Sequence, residues 1–479
     1  MNFKMFINGR WVEAQSDQTR TVINPATEEA VAEVPFGDAR DAEAAIAAAT
    51  KAQPGWAAMT AYERGEILWR TGALIRSRLD VLAPIMTQEC GKPLTESRGE
   101  WTACADVFEW YAEEGKRAYG RTIPARHPHK RLMVLPMPVG VVATITAWNF
   151  PANLPARKWA AALAAGCTVV GRPSELTPMS AMAIVNLLEE AGLPPGVLNL
   201  VNGQPAPIGE AFLHSPHVEK LSFTGSQDVG RLLVRQAADS LKRLSLELGG
   251  NAPVLIFPDA DVEAAARLSV AAKFRNNGQV CISPNRFYVH RDIAEDYIEA
   301  AHSAINELVV GNGLDPGVTT GPMVTSAARE RVEGFVADAM TQGAHVVCGG
   351  GRPAQLQRGF FYEPTLLVGL HDEMRVIREE IFGPVMVIRD FNSVDDVLAQ
   401  ANSTPYGLAA YVIGQDMTTI IRVYEGLKFG VVGVNDLTPA TAEGPFGGVK
   451  QSGFGRENAQ EGLEEYLETK FVSMALSIL

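Results

Sequence analysis

Apolar residues recur at three- and four-residue spacing through three stretches early in the chain: DARDAEAAIAAATKAQPGWAAM (38–59), AYERGEILWRTGALIRSRLDVLAPIMTQEC (61–90) and TESRGEWTACADVFEWYAEEGKRAY (95–119). This spacing predicts a helix over each. Ahead of them, MNFKMFINGRWVEAQ alternates apolar and polar positions and reads as a first strand, without the unbroken apolar core of a secretory signal. Behind them, RTIPARHPHKRLMVLPMPVG (121–140) combines Pro, His and alternating apolar residues, which predicts an extended hairpin leaving the body of the molecule.

From Val139 the texture changes to short apolar runs separated by helical patterns. VGVVATITAW, CTVVGRP, VLNLVNG, KLSFTGS and LSLELGG are the runs; PARKWAAALAAG, SAMAIVNLLEEAG and VGRLLVRQAAD lie between them. That alternation predicts a parallel sheet covered by helices on both faces. A second series follows Asn251, with PVLIF, RFYVH, VVCGG, VMVIRD, AAYVIG and GVVGVN. The expected fold is therefore α/β, with two doubly wound parallel-sheet domains joined near ELGGN. The first comprises 1–120 and 139–250, the second 251–449. The extended segments 121–138 and 465–479 are expected to form a small β arm bridging subunits of a homodimer or homotetramer.

Composition narrows the functional classes. At about 100–200 residues per domain, 479 residues make two to four folding units, and 47% hydrophobic with 20% charged is an ordinary globular mix. Lys and Arg number 42 against 55 Asp and Glu, a net charge of −13 with no basic block, which argues against nucleic acid and anionic membrane as partners. No apolar run reaches the roughly 20 residues of a membrane span. The five cysteines are scattered without a CxxC pair and the eight histidines show no HxxxH spacing, so neither a disulfide framework nor a metal site is expected. A reducing cytoplasm fits this usage.

Three residues make chemical sense as a set. Cys281 in NNGQVCISP, Glu247 in LELGGN and Asn149 in AWNFP each have an ordinary reading alone: apolar filler, turn carboxylate and loop cap. Together they supply a thiolate to attack a carbonyl, an amide to donate to the resulting oxyanion, and a carboxylate to activate water. A nucleotide site is suggested at SFTGSQDVG, where a strand meets a helix at Gly225–Ser226, although GxGxxG is absent from every strand-to-helix turn.

With these residues in view, the whole chain resembles the NAD(P)-dependent aldehyde dehydrogenase superfamily. The matching segments are WNFP (148–151), PSE (173–175), FTGS (223–226), ELGGN (247–251), GQVC (278–281), EEIFGPV (379–385) and PFGGVKQSG (445–453), in family order. The resemblance implies that the first domain binds the cofactor and the second is catalytic. It implies Cys281 as the nucleophile forming a thiohemiacetal and then a thioester, and Asn149 with the Cys281 N–H as oxyanion hole. Glu247 would be the hydrolytic base, with Lys158 assisting proton removal. Trp148, Ser174, Gly225, Ser226, Glu380 and Phe382 are implied to line the cofactor site. Glu175 there would favour NAD+ over NADP+, whereas Arg172, standing where many members have Lys, pulls the other way. Ser283 replaces a second cysteine found in some semialdehyde dehydrogenases.

Arg157 and Arg275 match the two arginines that hold the substrate carboxylate in succinic semialdehyde dehydrogenases, and KFRNNGQVCIS is similar to 2-oxoglutarate semialdehyde dehydrogenases. A serine that often completes that carboxylate site is replaced near Ala440–Thr441. The substrate implied is thus a small carboxylate-bearing aldehyde. The alternatives are a general aldehyde dehydrogenase for neutral aldehydes, a CoA-acylating enzyme, against which Glu247 argues, and a catalytically silent structural relative.

Overall fold

The computed structural model describes residues 1–476 and contains two large, mainly parallel sheets. The first has eight strands. Its parallel centre runs Arg243–Glu247, Val218–Thr224, Val141–Ile145, Thr168–Arg172, Leu198–Leu200 in spatial order. The central strands are buried along almost their whole length, which is why they read as unbroken apolar runs rather than alternating ones. The second sheet has seven strands, in the order His345–Cys348, Thr365–Val368, Val385–Phe391, Pro284–His290, Ala252–Ile256, Ala409–Ile413, Val431–Val434. All its pairings are parallel except the one made by the edge strand His345–Cys348.

Several details depart from the sequence reading. The first strand is a hairpin of Met5–Ile7 and Arg10–Val12, because Asn8 and Gly9 both take positive φ (53° and 73°) and form the tight turn that Asn-Gly favours. The helical pattern over 61–90 is two helices, Ala61–Ser77 and Leu79–Cys90. They part at Arg78, whose N–H bonds to Ile75 and whose guanidinium pairs with Glu190. Strand Thr365–Val368, only four residues long, had no separate sequence signal. Gly453–Phe454, from near the end of the chain, adds antiparallel to Arg243–Glu247 and so becomes an edge of the first sheet.

Strand Leu467–Ala475 pairs antiparallel with Lys130–Pro138 along nine residues, and Arg121–Ile123 pairs on the other side. This three-stranded arm presents Leu135, Phe471 and Met474 to solvent. Residues 477–479 of the segment 465–479 lie outside the described residues. Among the described residues, no helix is long and apolar enough to cross a membrane.

Helix Asn153–Ala165 is the element that matters most for the site. Every residue of it except Arg157 is buried, and its alanines allow close approach to the helix Leu94–Glu114. Trp159 anchors it to the first sheet by donating to Thr144 Oγ1 at 2.8 Å.

Candidate active site

Cys281 sits at the end of a sharply turned segment between the helix Val262–Phe274 and the strand Pro284–His290. Asn276, Asn277 and Gly278 all have positive φ (46°, 53° and 73°), a conformation Asn and Gly tolerate best. The turn brings Cys281 against Gly250, where a Cβ would stand 2.4 Å from the Cys281 carbonyl oxygen. The ELGGN and GQVC segments therefore touch through a position only glycine can fill. Glu247 ends its strand immediately before this contact and is buried.

Asn149 lies just past the strand Val141–Ile145, in the segment leading to the helix Asn153–Ala165. Its side-chain amide donates to the Gln279 carbonyl at 3.1 Å, which ties it to the residue two before the thiol. Cys281 opens onto a cavity of about 300 Å3 whose lining includes Phe150, Arg157, Arg275, Ala440 and Phe446. Both arginines singled out from the sequence thus reach the cavity of the candidate nucleophile. Each is held by an aromatic face, Arg157 over Phe446 at 4.6 Å and Arg275 over Phe150 at 5.3 Å. Ala440, in the stretch where that serine is replaced, presents only a methyl group to the same cavity.

Electrostatics couple the thiol to the carboxylate. Burial, and secondly the charge of Glu457, push the Glu247 carboxyl up to about 8, against the opposing pull of Lys158. Burial, and then the charge of Glu247, raise the Cys281 thiol well above its ordinary value. Like charges this close do not both form in a buried site, so the pair releases one proton before the other. A single proton loss leaves either a thiolate beside a neutral acid or a carboxylate beside a neutral sulfur. The first state suits attack on a carbonyl, the second activation of water.

Lys158 is buried, ion-paired with Glu457, and donates to Ser222 Oγ at 3.1 Å. The other oxygen of Glu457 lies 3.8 Å from Arg157. With Glu247 protonated, this buried cluster of two cations and one carboxylate carries a net positive charge, which welcomes an anion in the cavity. Glu457 has no counterpart in the sequence reading. It follows the PFGGVKQSG segment in a stretch without periodicity, and its neighbours Asn458 and Ala459 both have positive φ (61° and 52°).

Of the implied dinucleotide residues, Trp148, Ser174, Gly225 and Ser226 follow strands of the first sheet, whereas Glu380 and Phe382 precede the strand Val385–Phe391 of the second. Gly225 precedes Ser226, the N-cap of the helix Gln227–Ala237, and a Cβ on Gly225 would stand 2.4 Å from the Phe223 ring. Trp148 and Phe382 meet edge to face at 5.5 Å. Phe382 holds a φ of 53°, a strained value for a bulky residue that sets where its ring projects. Glu380 accepts from the Gly250 N–H at 2.9 Å, and burial pushes its carboxyl up to about 7. Ser174 is buried beside Arg172, whose guanidinium pairs with Glu175 at 2.6 Å and donates to the Gly203 carbonyl at 3.0 Å. Thr224 Oγ1 and Arg172 Nε are buried without a partner among the described residues. These open polar atoms and the glycine cradle fit a dinucleotide, which when bound supplies the hydride acceptor. Among the described residues, no group of three or more His, Cys, Asp or Glu side chains is disposed to hold a metal ion.

The chain belongs to the aldehyde dehydrogenase family, whose sequence pattern matches residues 11–472. The NADP+-dependent succinate-semialdehyde dehydrogenase of Escherichia coli (strain K12) is 46% identical, with 98% of this chain and 97% of that protein covered. Glutarate-semialdehyde dehydrogenase of Pseudomonas putida is 44% identical, with 98% and 97% covered. The crystal structure of succinate-semialdehyde dehydrogenase from Burkholderia pseudomallei superposes with a TM-score of 0.97 at 46% identity, covering 99% of this chain and 98% of that one. The protein is accordingly an NAD(P)-dependent oxidoreductase acting on an aldehyde.

Proposed function

We propose that this enzyme oxidises a short aldehyde bearing a carboxylate at its far end, of the succinic or glutaric semialdehyde kind, to the dicarboxylic acid. One observation carries the reading: Arg157, Arg275 and the Cys281 thiol line a single cavity. The two guanidinium groups hold the carboxylate and leave the aldehyde carbon at the sulfur. Cys281 adds to that carbon while Asn149 and the Cys281 N–H stabilise the oxyanion. A bound nucleotide would accept the hydride, and Glu247 then takes a proton from the water that attacks the thioester on Cys281. The charges of Glu457 and Lys158 act on Glu247, and the ion pair they form is the proposed route by which that proton leaves. Five unpaired cysteines suit work in the cytoplasm.

Charge-assisted hydrogen bonds contribute about 1.5–3 kcal/mol each. Arg157→Ala and Arg275→Ala are each expected to lower kcat/KM for succinic semialdehyde by roughly ten- to a hundredfold and for butanal by little. Equal losses on both substrates, or a wild-type preference for butanal, would leave a general aldehyde dehydrogenase instead.

For the nucleotide, Glu175 facing the adenosine ribose alone would repel a 2′-phosphate, but its ion pair with Arg172 offsets that charge. The site is therefore permissive to NADP+ as well as NAD+. Arg172→Met is expected to weaken NADP+ about tenfold more than NAD+, read by quenching of protein fluorescence on titration. An unchanged ratio would remove Arg172 from nucleotide choice.

The arm is proposed to join copies of this chain into a homodimer or homotetramer, its free strand edge at Leu467–Ala475 and the exposed Phe471 being covered there.

A further inference from the structure

Lys92 and Glu100 form an ion pair in which both side chains are almost wholly inaccessible, at 1% and 2% exposure. Neither belongs to the catalytic set above, yet both contribute to the wall of the substrate cavity. A buried pair of this kind is weak as a source of stability, since desolvation offsets most of the attraction, so its placement calls for another account.

Its contacts converge on one short segment. Lys92 Nζ donates to the Asn149 carbonyl at 2.8 Å and lies 4.1 Å from the centre of the Phe150 ring. Glu100 keeps its other oxygen for the backbone N–H groups of Ala152 (2.9 Å) and Asn153 (3.1 Å), at the start of the helix that carries Arg157 and Lys158. No side chain of that helix caps its N-terminus, so Glu100 does so from outside. The Asn149 carbonyl also accepts from Asn276 Nδ2 at 2.9 Å, in the turn before Cys281. The main chain at Asn149 and just after it is thereby clamped to Lys92, to Glu100 of the helix Leu94–Glu114 and to the nucleophile's turn.

We infer that the Lys92–Glu100 pair is the positioning device for the Asn149 amide, fixing the 149–153 segment so that the amide faces the oxyanion formed at Cys281. The inference rests on the reading of Asn149 as an oxyanion donor. Lys92 and Glu100 are positioning residues: they act through the segment and donate nothing to the reacting atoms. An oxyanion donor works only when aimed before the charge develops, so a small displacement of the segment costs rate rather than nucleotide affinity.

The test is a double-mutant cycle in the full-length enzyme. Lys92→Met with Glu100→Gln removes both charges together and keeps an oxygen for the Ala152 and Asn153 N–H groups, so no unpaired charge is buried. The single-turnover rate of NAD(P)H formation is expected to fall about tenfold, with the dissociation constant of NAD(P)+ unchanged. Asn149→Ala alone is expected to cost about 10²–10³ in the same rate. In the Asn149→Ala background the Lys92/Glu100 change is expected to cost less than twofold, because the amide it aims is gone.

Losses that multiply would overturn the inference and leave the pair as general scaffolding. So would a pair variant with the wild-type rate. A normal rate in Asn149→Ala alone would instead overturn the reading of Asn149, which keeps the two failures distinct. Lys92→Arg, which retains the charge but sets its donors farther out, is the second arm if the double variant does not fold. It is expected to show the same lack of additivity, and multiplying losses there would likewise overturn the inference.

Discussion

Replacement of Cys281 by alanine is expected to reduce aldehyde oxidation to background, a loss of roughly 10³-fold or more, as for other enzymes stripped of their covalent nucleophile. The substitution removes one sulfur atom from the substrate cavity and touches none of the residues implied to hold the nucleotide. Nucleotide binding should therefore persist, and titration of protein fluorescence with NAD(P)+ should give the wild-type dissociation constant. Retention of more than a few per cent of NAD(P)H production by Cys281→Ala would remove Cys281 from the chemistry.

A different trace is expected from Glu247→Gln. The first turnover proceeds in part, since attack by sulfur and hydride departure need no water, but the thioester persists for want of a base. General bases contribute about 10²–10⁴ in rate, so the steady state should fall by that order behind a burst of NAD(P)H near one equivalent per site. The pH dependence follows from the raised carboxyl. With Glu247 pushed up to about 8, its basic form is the minor one at pH 7 and grows as pH rises. Wild-type steady-state turnover at saturating substrate should climb through that range, and the Glu247→Gln variant should lack the climb. Unaltered turnover in the variant, with the same pH profile, would take Glu247 out of the mechanism.

The parts of this architecture that are legible in the sequence are those where local chemistry and backbone need coincide. The central strands announce themselves because burial on both faces demands continuous apolar residues. Cys281 follows an Asn-Asn-Gly turn of left-handed backbone, Glu247 precedes two glycines whose close approach to neighbouring chain excludes a side chain, and Asn149 stands in a short WNFP segment just past a strand. Lys92 follows Gly91 and Glu457 precedes Asn458, and Gly91 and Asn458 have positive φ, but neither position marks its charged neighbour as part of the site, and Glu100 lies within a helix. Lys92 sits in QECGKPL and Glu100 on an amphipathic helix, and their neighbours in sequence resemble any solvated surface. Their meaning appears only when Asn149, distant along the chain, closes over them. The strand Thr365–Val368 has no legible pattern because its three apolar residues, Leu366, Leu367 and Val368, are too few to show a period. The N-terminal hairpin was legible in principle, through the Asn-Gly pair at its turn.

The late strand Gly453–Phe454 has a bearing on how the protein is made. It completes the edge of a sheet whose other members were synthesised long before, and Glu457 reaches the candidate site only three residues beyond it. At about 5–20 residues per second, roughly 9–35 s separate the appearance of Cys281 from that of Glu457 on the ribosome. Throughout that interval the nascent chain carries the thiol, the carboxylate of Glu247 and the amide of Asn149 without the partner that balances Lys158. The charge balance around the three candidate groups is thus completed only once Gly453–Glu457 has been made, and a chain released before Gly453 holds all three groups but neither the finished sheet edge nor that balance.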